Sequence, residues 1–149
     1  MKHLLFFFIS LFSTPLFSQI EIIDVGDGWK NKVQLAISLI KETDSTFYKH
    51  LIKNCNQIGF WGGKYSTNEG KTIFISRYDM QIESIQNIAC VLIHESMHIE
   101  LGKLNLPITE FEEECLCYNY ERQFLEKVKD PEPRLVQNVI ERMKQYKCN

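Results

Sequence analysis

The chain of 149 residues is 44% hydrophobic and 24% charged, which suits one globular domain with a core of its own. Its 17 Lys and Arg stand against 19 Asp and Glu, a formal charge of −2, with the cations scattered rather than gathered into a stripe. A phosphate-tracking surface is thereby excluded, and nucleic acid is not an expected partner.

Residues 1–18 have the make-up of a signal peptide. Met1-Lys2-His3 is a basic start, Leu4 to Phe12 is almost wholly apolar, Thr14-Pro15 interrupts the run, and Ser18 offers a small residue before Gln19. Cleavage is expected between Ser18 and Gln19, leaving an exported domain over 19–149, in the periplasm or envelope or secreted. The apolar run is shorter than the ~20 residues that span a bilayer, and no run of that length follows, so no stable membrane anchor is expected after cleavage.

Gln19 to Asp24 alternates apolar and polar residues as a short strand does, and Gly26-Asp27-Gly28 ends it in a turn. From Trp29 onward Val33, Ile37, Ile40, Phe47 and Leu51 recur at near-helical spacing, which predicts a long first helix interrupted around Thr43 to Thr46. Lys71 to Ser76, after Asn68-Glu69-Gly70, reads as the second strand of a hairpin. Asp79 is a candidate N-cap for a helix from about Met80 to Leu101, with Gly102 as its C′ residue. The middle of that helix, Ile88 to Ile93, is apolar on every side and must be packed all round. Another helix is expected from about Thr109 to Lys129, and Asp130-Pro131 should start a last one carrying Leu135, Val136, Val139, Ile140 and Met143. The sum is an α+β, mainly helical fold: a small hairpin or sheet packed on a central helix, followed by a glutamate-rich helix.

Five cysteines follow the leader, an odd number, so at least one thiol is unpaired or intermolecular. Cys115 and Cys117 lie two apart on a helix and face nearly opposite ways, which makes them poor partners for each other. Cys55 with Cys148 is one possible pair; spacing alone does not fix the connectivity.

The chemistry concentrates at His94-Glu95-Ser96-Met97-His98. Two His four apart on a helix project from one face and can share a metal ion. In this pattern the imidazoles bind Zn²⁺, and the adjacent carboxylate is not a ligand but takes a proton from the zinc-bound water. Glu95 is therefore the expected general base. With a short loop and then a helix carrying Glu114-Cys115-Leu116-Cys117, a Glu-x-x-Cys pattern, the stretch from about Lys71 to Val128 resembles the zincin superfamily, and within it a minimal gluzincin. That resemblance implies a zinc metallopeptidase with a third ligand, a glutamate, on the following helix. It also implies an edge strand that holds extended peptide antiparallel, with Lys71 to Ser76 or Trp61 to Thr67 lining the cleft. The chain departs from the family in having Tyr118 where an Asp stands four residues after the candidate glutamate, so Glu121, one turn further on, is the candidate to support the metal site.

Glu110, Glu112, Glu113 and Glu114 compete for the third position. Thr109 and Glu112 are spaced as a capping box, and Glu112 shares its side with a solvated face. Glu113 and Glu114 both point into the apolar sector marked by Cys117, Phe124 and Val128. Counting the climb of a returning antiparallel helix favours Glu114, leaving Glu112 and Glu113 as rivals. Tyr65, Tyr78, Tyr118 and Tyr120 are possible oxyanion donors, though for each an aromatic packing role is the commoner one. Trp61 is a possible lip of the cleft on the same terms. Cys117 shares a face with Glu114 and is a rival ligand. The expected function is an exported zinc peptidase acting on a peptide or protein substrate; the alternative is a non-catalytic zinc-binding domain that binds a protein partner.

Overall fold

The computed structural model describes residues 20–23, 28–82 and 84–148. Residues 1–18, expected to be a signal peptide, and the Gly26-Asp27 part of the first turn lie outside them. Ten elements follow in order: β1 (Glu21–Ile22), α1 (Trp29–Thr43), α2 (Ser45–Asn54), β2 (Gln57–Trp61), β3 (Thr67–Glu69), β4 (Thr72–Ser76), α3 (Arg77–Ile82), α4 (Ile85–Leu104), α5 (Glu110–Leu125) and α6 (Pro133–Gln145). The architecture is α+β and mainly helical. Among the described residues no helix is long and apolar enough to cross a membrane.

The interruption expected near Thr43 to Thr46 is the extended residue Asp44 (φ −162°, ψ 125°), which ends α1 and caps α2 by accepting from the Thr46 amide at 2.6 Å. The two helices form the crossover that lets β1 and β2 run parallel. The sheet order is β1-β2-β4-β3. The hairpin read around Lys71 is present as antiparallel β3 and β4, turned at Gly70 (φ 58°), while β4 also pairs in parallel with β2. The strand over Gln57–Trp61 has no clear sequence signal because Gly59 breaks its alternation. Packing explains that glycine: a Cβ there would meet the Phe74 ring at 3.0 Å. Ile58, Ile73 and Ile75 are buried against the helices.

Several helix boundaries differ from the sequence expectation. Asp79 is not an N-cap; it lies inside the short α3 and accepts hydrogen bonds from the Ser66 and Ser76 hydroxyls, both at 2.6 Å. The central helix α4 starts later, capped by Ser84, whose side chain accepts from the Asn87 amide at 3.1 Å. At its other end α4 runs through Gly102 to Leu104 and stops at Asn105, whose left-handed conformation (φ 45°, ψ 46°) serves in place of the expected glycine. Asp130 likewise takes a positive φ of 54° instead of capping α6, which begins with Glu132 as N-cap and Pro133 in its first turn.

With Ile88, Ala89, Leu92 and Ile93 essentially without solvent exposure, α4 is surrounded by α1, α2, α5, β3 and β4. Its position is over-determined by apolar burial, so side chains on its exposed stripe are held on a rigid base. The glutamate helix α5 begins with the full capping box expected at Thr109 and Glu112, and ends at Leu125, short of Lys129. It packs along α4 on one side and α6 on the other. A disulfide joins Cys115 on α5 to Cys148 just beyond α6, correcting the Cys55–Cys148 pairing; Cys55 sits buried at the end of α2 as a free thiol. The two disulfide cysteines are 33 residues apart, so the Cys115→Ser/Cys148→Ser protein should unfold in urea with a stability lower by about 3–4 kcal/mol, the entropy of closing such a loop. An unchanged unfolding midpoint would mean that this link does not constrain the unfolded chain.

Candidate metal centre

His94 and His98 stand one turn apart on α4, with ring centroids 4.9 Å apart and their Nε2 atoms facing each other at 3.2 Å. Glu114, from the second turn of α5, reaches the same point: one carboxylate oxygen lies 3.6 Å from His94 Nε2 and the other 3.5 Å from His98 Nε2. The two Nε2 atoms and the Glu114 carboxylate therefore face one another, each oxygen of the carboxylate turned to a different imidazole. Both imidazoles are aimed from behind. His94 Nδ1 lies 3.1 Å from Glu121 and His98 Nδ1 lies 2.8 Å from Glu113. A carboxylate on Nδ1–H holds that proton in place and leaves the Nε2 lone pair free for a cation.

Charge points the same way. Burial by itself would depress the His94 imidazolium, but hydrogen bonds to Glu114 and Glu121 and the charges of Glu121 and Glu95 outweigh it and raise the group to about 10. His98 is also raised: burial opposes, and Glu114 and Glu113 prevail. Glu114 moves the opposite way, to about 2, because its hydrogen bonds to the two imidazoles exceed the cost of burying it. Four carboxylates (Glu95, Glu113, Glu114 and Glu121) thus surround two imidazoles that carry at most two positive charges. A divalent cation on the neutral rings brings the same two charges to one point. Metal and protons therefore compete, and binding weakens as pH falls.

Glu95 is only 8% exposed, and its Oε2 accepts from Asn68 Nδ2 of β3 at 2.9 Å. It belongs to neither the α5 cluster nor the facing pair of nitrogens. A cleft of about 920 Å³ opens over this group between β3, α4, α5 and α6, lined among others by Tyr65, Asn68, Glu95, Tyr118, Arg142 and Tyr146. The cleft is bounded on the sheet side by the Lys64–Asn68 stretch and the edge strand β3, not by β4, which lies inside the sheet. Tyr118 packs edge-on against His94 with centroids 4.5 Å apart and stacks on Tyr146 at 5.8 Å. Burial, reinforced by Glu114 and Glu121, pushes the Tyr118 hydroxyl up, so it stays protonated.

The structure brings together His94, His98, Glu114 and Glu95, with Glu121 behind His94. Glu112 is occupied in the capping box and Glu110 is exposed on the first turn. Glu113 turns to His98 Nδ1 and away from the shared nitrogens. Of the tyrosines, Tyr65, Tyr78 and Tyr118 line the cleft; Tyr120 faces Phe47 and His50 on another side. Trp61 is not in the cleft wall; its indole donates to the Tyr65 carbonyl at 2.8 Å. Cys117 is fully buried beneath the His pair, and its thiol and one ring nitrogen from each His lie within 4.8 Å of one another. The residues given no site role from sequence are Asn68 and, as an orienting group, Glu113. Asn68 reads as a turn residue, and nothing local signals a contact 27 positions away.

Comparison of the chain with family models, with curated proteins and with solved structures finds no match in any of the three. Function therefore has to be read from the site itself. His94, His98 and Cys117 form a group that could hold a metal ion. Divalent-metal affinity separates the ligand from its supports. Glu113→Ala should weaken binding by about 10–100-fold, as loss of an orienting group does. Glu114→Ala should weaken it more, and Glu112→Ala should leave it unchanged. Titration of the three folded variants checks this, and a larger loss for Glu113→Ala than for Glu114→Ala would exchange their roles.

Proposed function

We propose that this protein is an exported zinc-dependent peptidase of the zincin type, with His94, His98 and Glu114 as zinc ligands and Glu95 as general base. The observation that carries the reading is Glu95, a buried carboxylate beside the His pair, outside the ligand group and on the wall of the cleft. A purely structural metal site has no use for such a group. Zinc held by these three residues would supply Lewis acidity, making water acidic enough to attack at neutral pH and polarising a carbonyl.

The remaining steps belong to side chains of this chain. Asn68 holds one oxygen of Glu95 and leaves the other to take the proton of the attacking water. The same carboxyl then gives that proton to the leaving amine nitrogen. Tyr118, kept protonated and packed on His94, supplies a hydroxyl toward charge developing on the carbonyl oxygen. Among the described residues the edge strand β3 pairs on one side only, and on its other side an extended peptide adds antiparallel in the manner the zincin resemblance implies. An unfolded or flexible peptide segment is the substrate form that such an edge accepts. The leader-like residues 1–18 support a place outside the cytoplasm.

Glu95→Gln separates this reading from a non-catalytic zinc domain. The amide keeps the shape and the Asn68 neighbour but cannot take a proton. Peptide-library hydrolysis by the wild-type protein is expected, with Glu95→Gln retaining its zinc and losing activity by at least 10²-fold, the lower end of a general base's contribution. Hydrolysis at an undiminished rate in Glu95→Gln, or a zinc-loaded wild-type protein that cleaves nothing in the library, contradicts the proposal.

A further inference from the structure

Cys117 is a free thiol with no solvent exposure, on the α5 face that carries Glu114, one turn further along. Its sulfur makes no hydrogen bond among the described residues. The buried thiol of Cys55 differs in this respect, donating to the Gln57 carbonyl at 3.2 Å. What Cys117 Sγ does face is the His pair, since it and one ring nitrogen of each His lie within 4.8 Å of one another. Two side chains of one α5 face thus reach the pair: Glu114 at both Nε2 atoms, and Cys117 one turn further along.

We propose that Cys117 is itself a metal ligand, completing with His94, His98 and Glu114 a four-donor site whose resting form is closed. This rests on the reading that the His pair holds a metal, and it adds what that reading lacks. A site with three protein ligands leaves one tetrahedral position to water, whereas a thiolate from the core takes that position. Soft sulfur favours zinc over magnesium or calcium, so the same residue gives the site its metal preference. Water then enters only by expanding the coordination or by displacing Cys117, and the thiol thereby sets how much of the protein is ready for chemistry at any moment. Neighbouring sulfur makes the assignment specific to one position: Cys90 lies one turn before His94 on α4, but it is Cys117 that groups with the two His.

X-ray absorption at the zinc edge of the zinc-loaded wild-type protein tests this without any variant. One sulfur scatterer at about 2.3 Å alongside nitrogen and oxygen at ~2.0–2.1 Å is expected. Cys117→Ala should lose the sulfur shell, lose the near-ultraviolet sulfur-to-metal band of the cobalt-substituted protein, and bind zinc at least tenfold more weakly, while Cys90→Ala keeps all three features. A zinc-loaded wild-type protein with only nitrogen and oxygen around the metal overturns the inference and leaves the peptidase proposal standing. A sulfur shell that persists in Cys117→Ala overturns it too. A folded protein that takes up no zinc overturns both.

Discussion

Everything around the His pair follows from an excess of negative charge held out of water. Glu95, Glu113, Glu114 and Glu121 converge on two imidazoles in a part-buried cleft, where unpaired carboxylates are expensive. Protons on the imidazoles compensate that charge, and this is why both His are held above their usual range and Glu114 below its own. A cation at the meeting point of the Nε2 atoms satisfies the same field with one ion. The Nδ1 partners, Glu121 and Glu113, then act as orienting groups and not as competitors for the metal.

The fold exists to hold this arrangement still. The central helix cannot rotate, because its other faces are buried against α1, α2 and the sheet, and rotation would expose Leu92 or Ile93. Its partner α5 is fixed at one end by the capping box at Thr109 and, next to Glu114, by the disulfide from Cys115 to the end of the chain. That link also sets Tyr146 against Tyr118 and Phe111, so the C-terminal turn becomes a wall of the cleft. The hairpin contributes the opposite wall and, through Asn68, the contact that orients Glu95.

Much of this was legible in the sequence, and the parts that were not share a physical cause. The mainly helical α+β class, the break at Asp44, the hairpin and the capping box are local, and their signals lie within a few residues of the feature they mark. The meeting of His94, His98 and Glu114 was accessible because helical periodicity and the length of a return loop are nearly geometric facts. The start of α4 was not legible because Asp79, the capping residue type the sequence offers, is engaged by tertiary hydrogen bonds from Ser66 and Ser76, which leaves the cap to Ser84. The parallel pairing of β2 with β4, the Cys115–Cys148 link and the Asn68–Glu95 contact join positions far apart in the chain. No local pattern encodes them.

The central claim is that two imidazoles on α4 exist to bind one divalent metal ion. Elemental analysis of the purified protein after dialysis against limiting zinc at neutral pH addresses it most directly. About one zinc per chain is expected for the wild-type protein and none for a folded His98→Ala variant. A folded wild-type protein without metal, or a stoichiometry that His98→Ala leaves unchanged, contradicts the account.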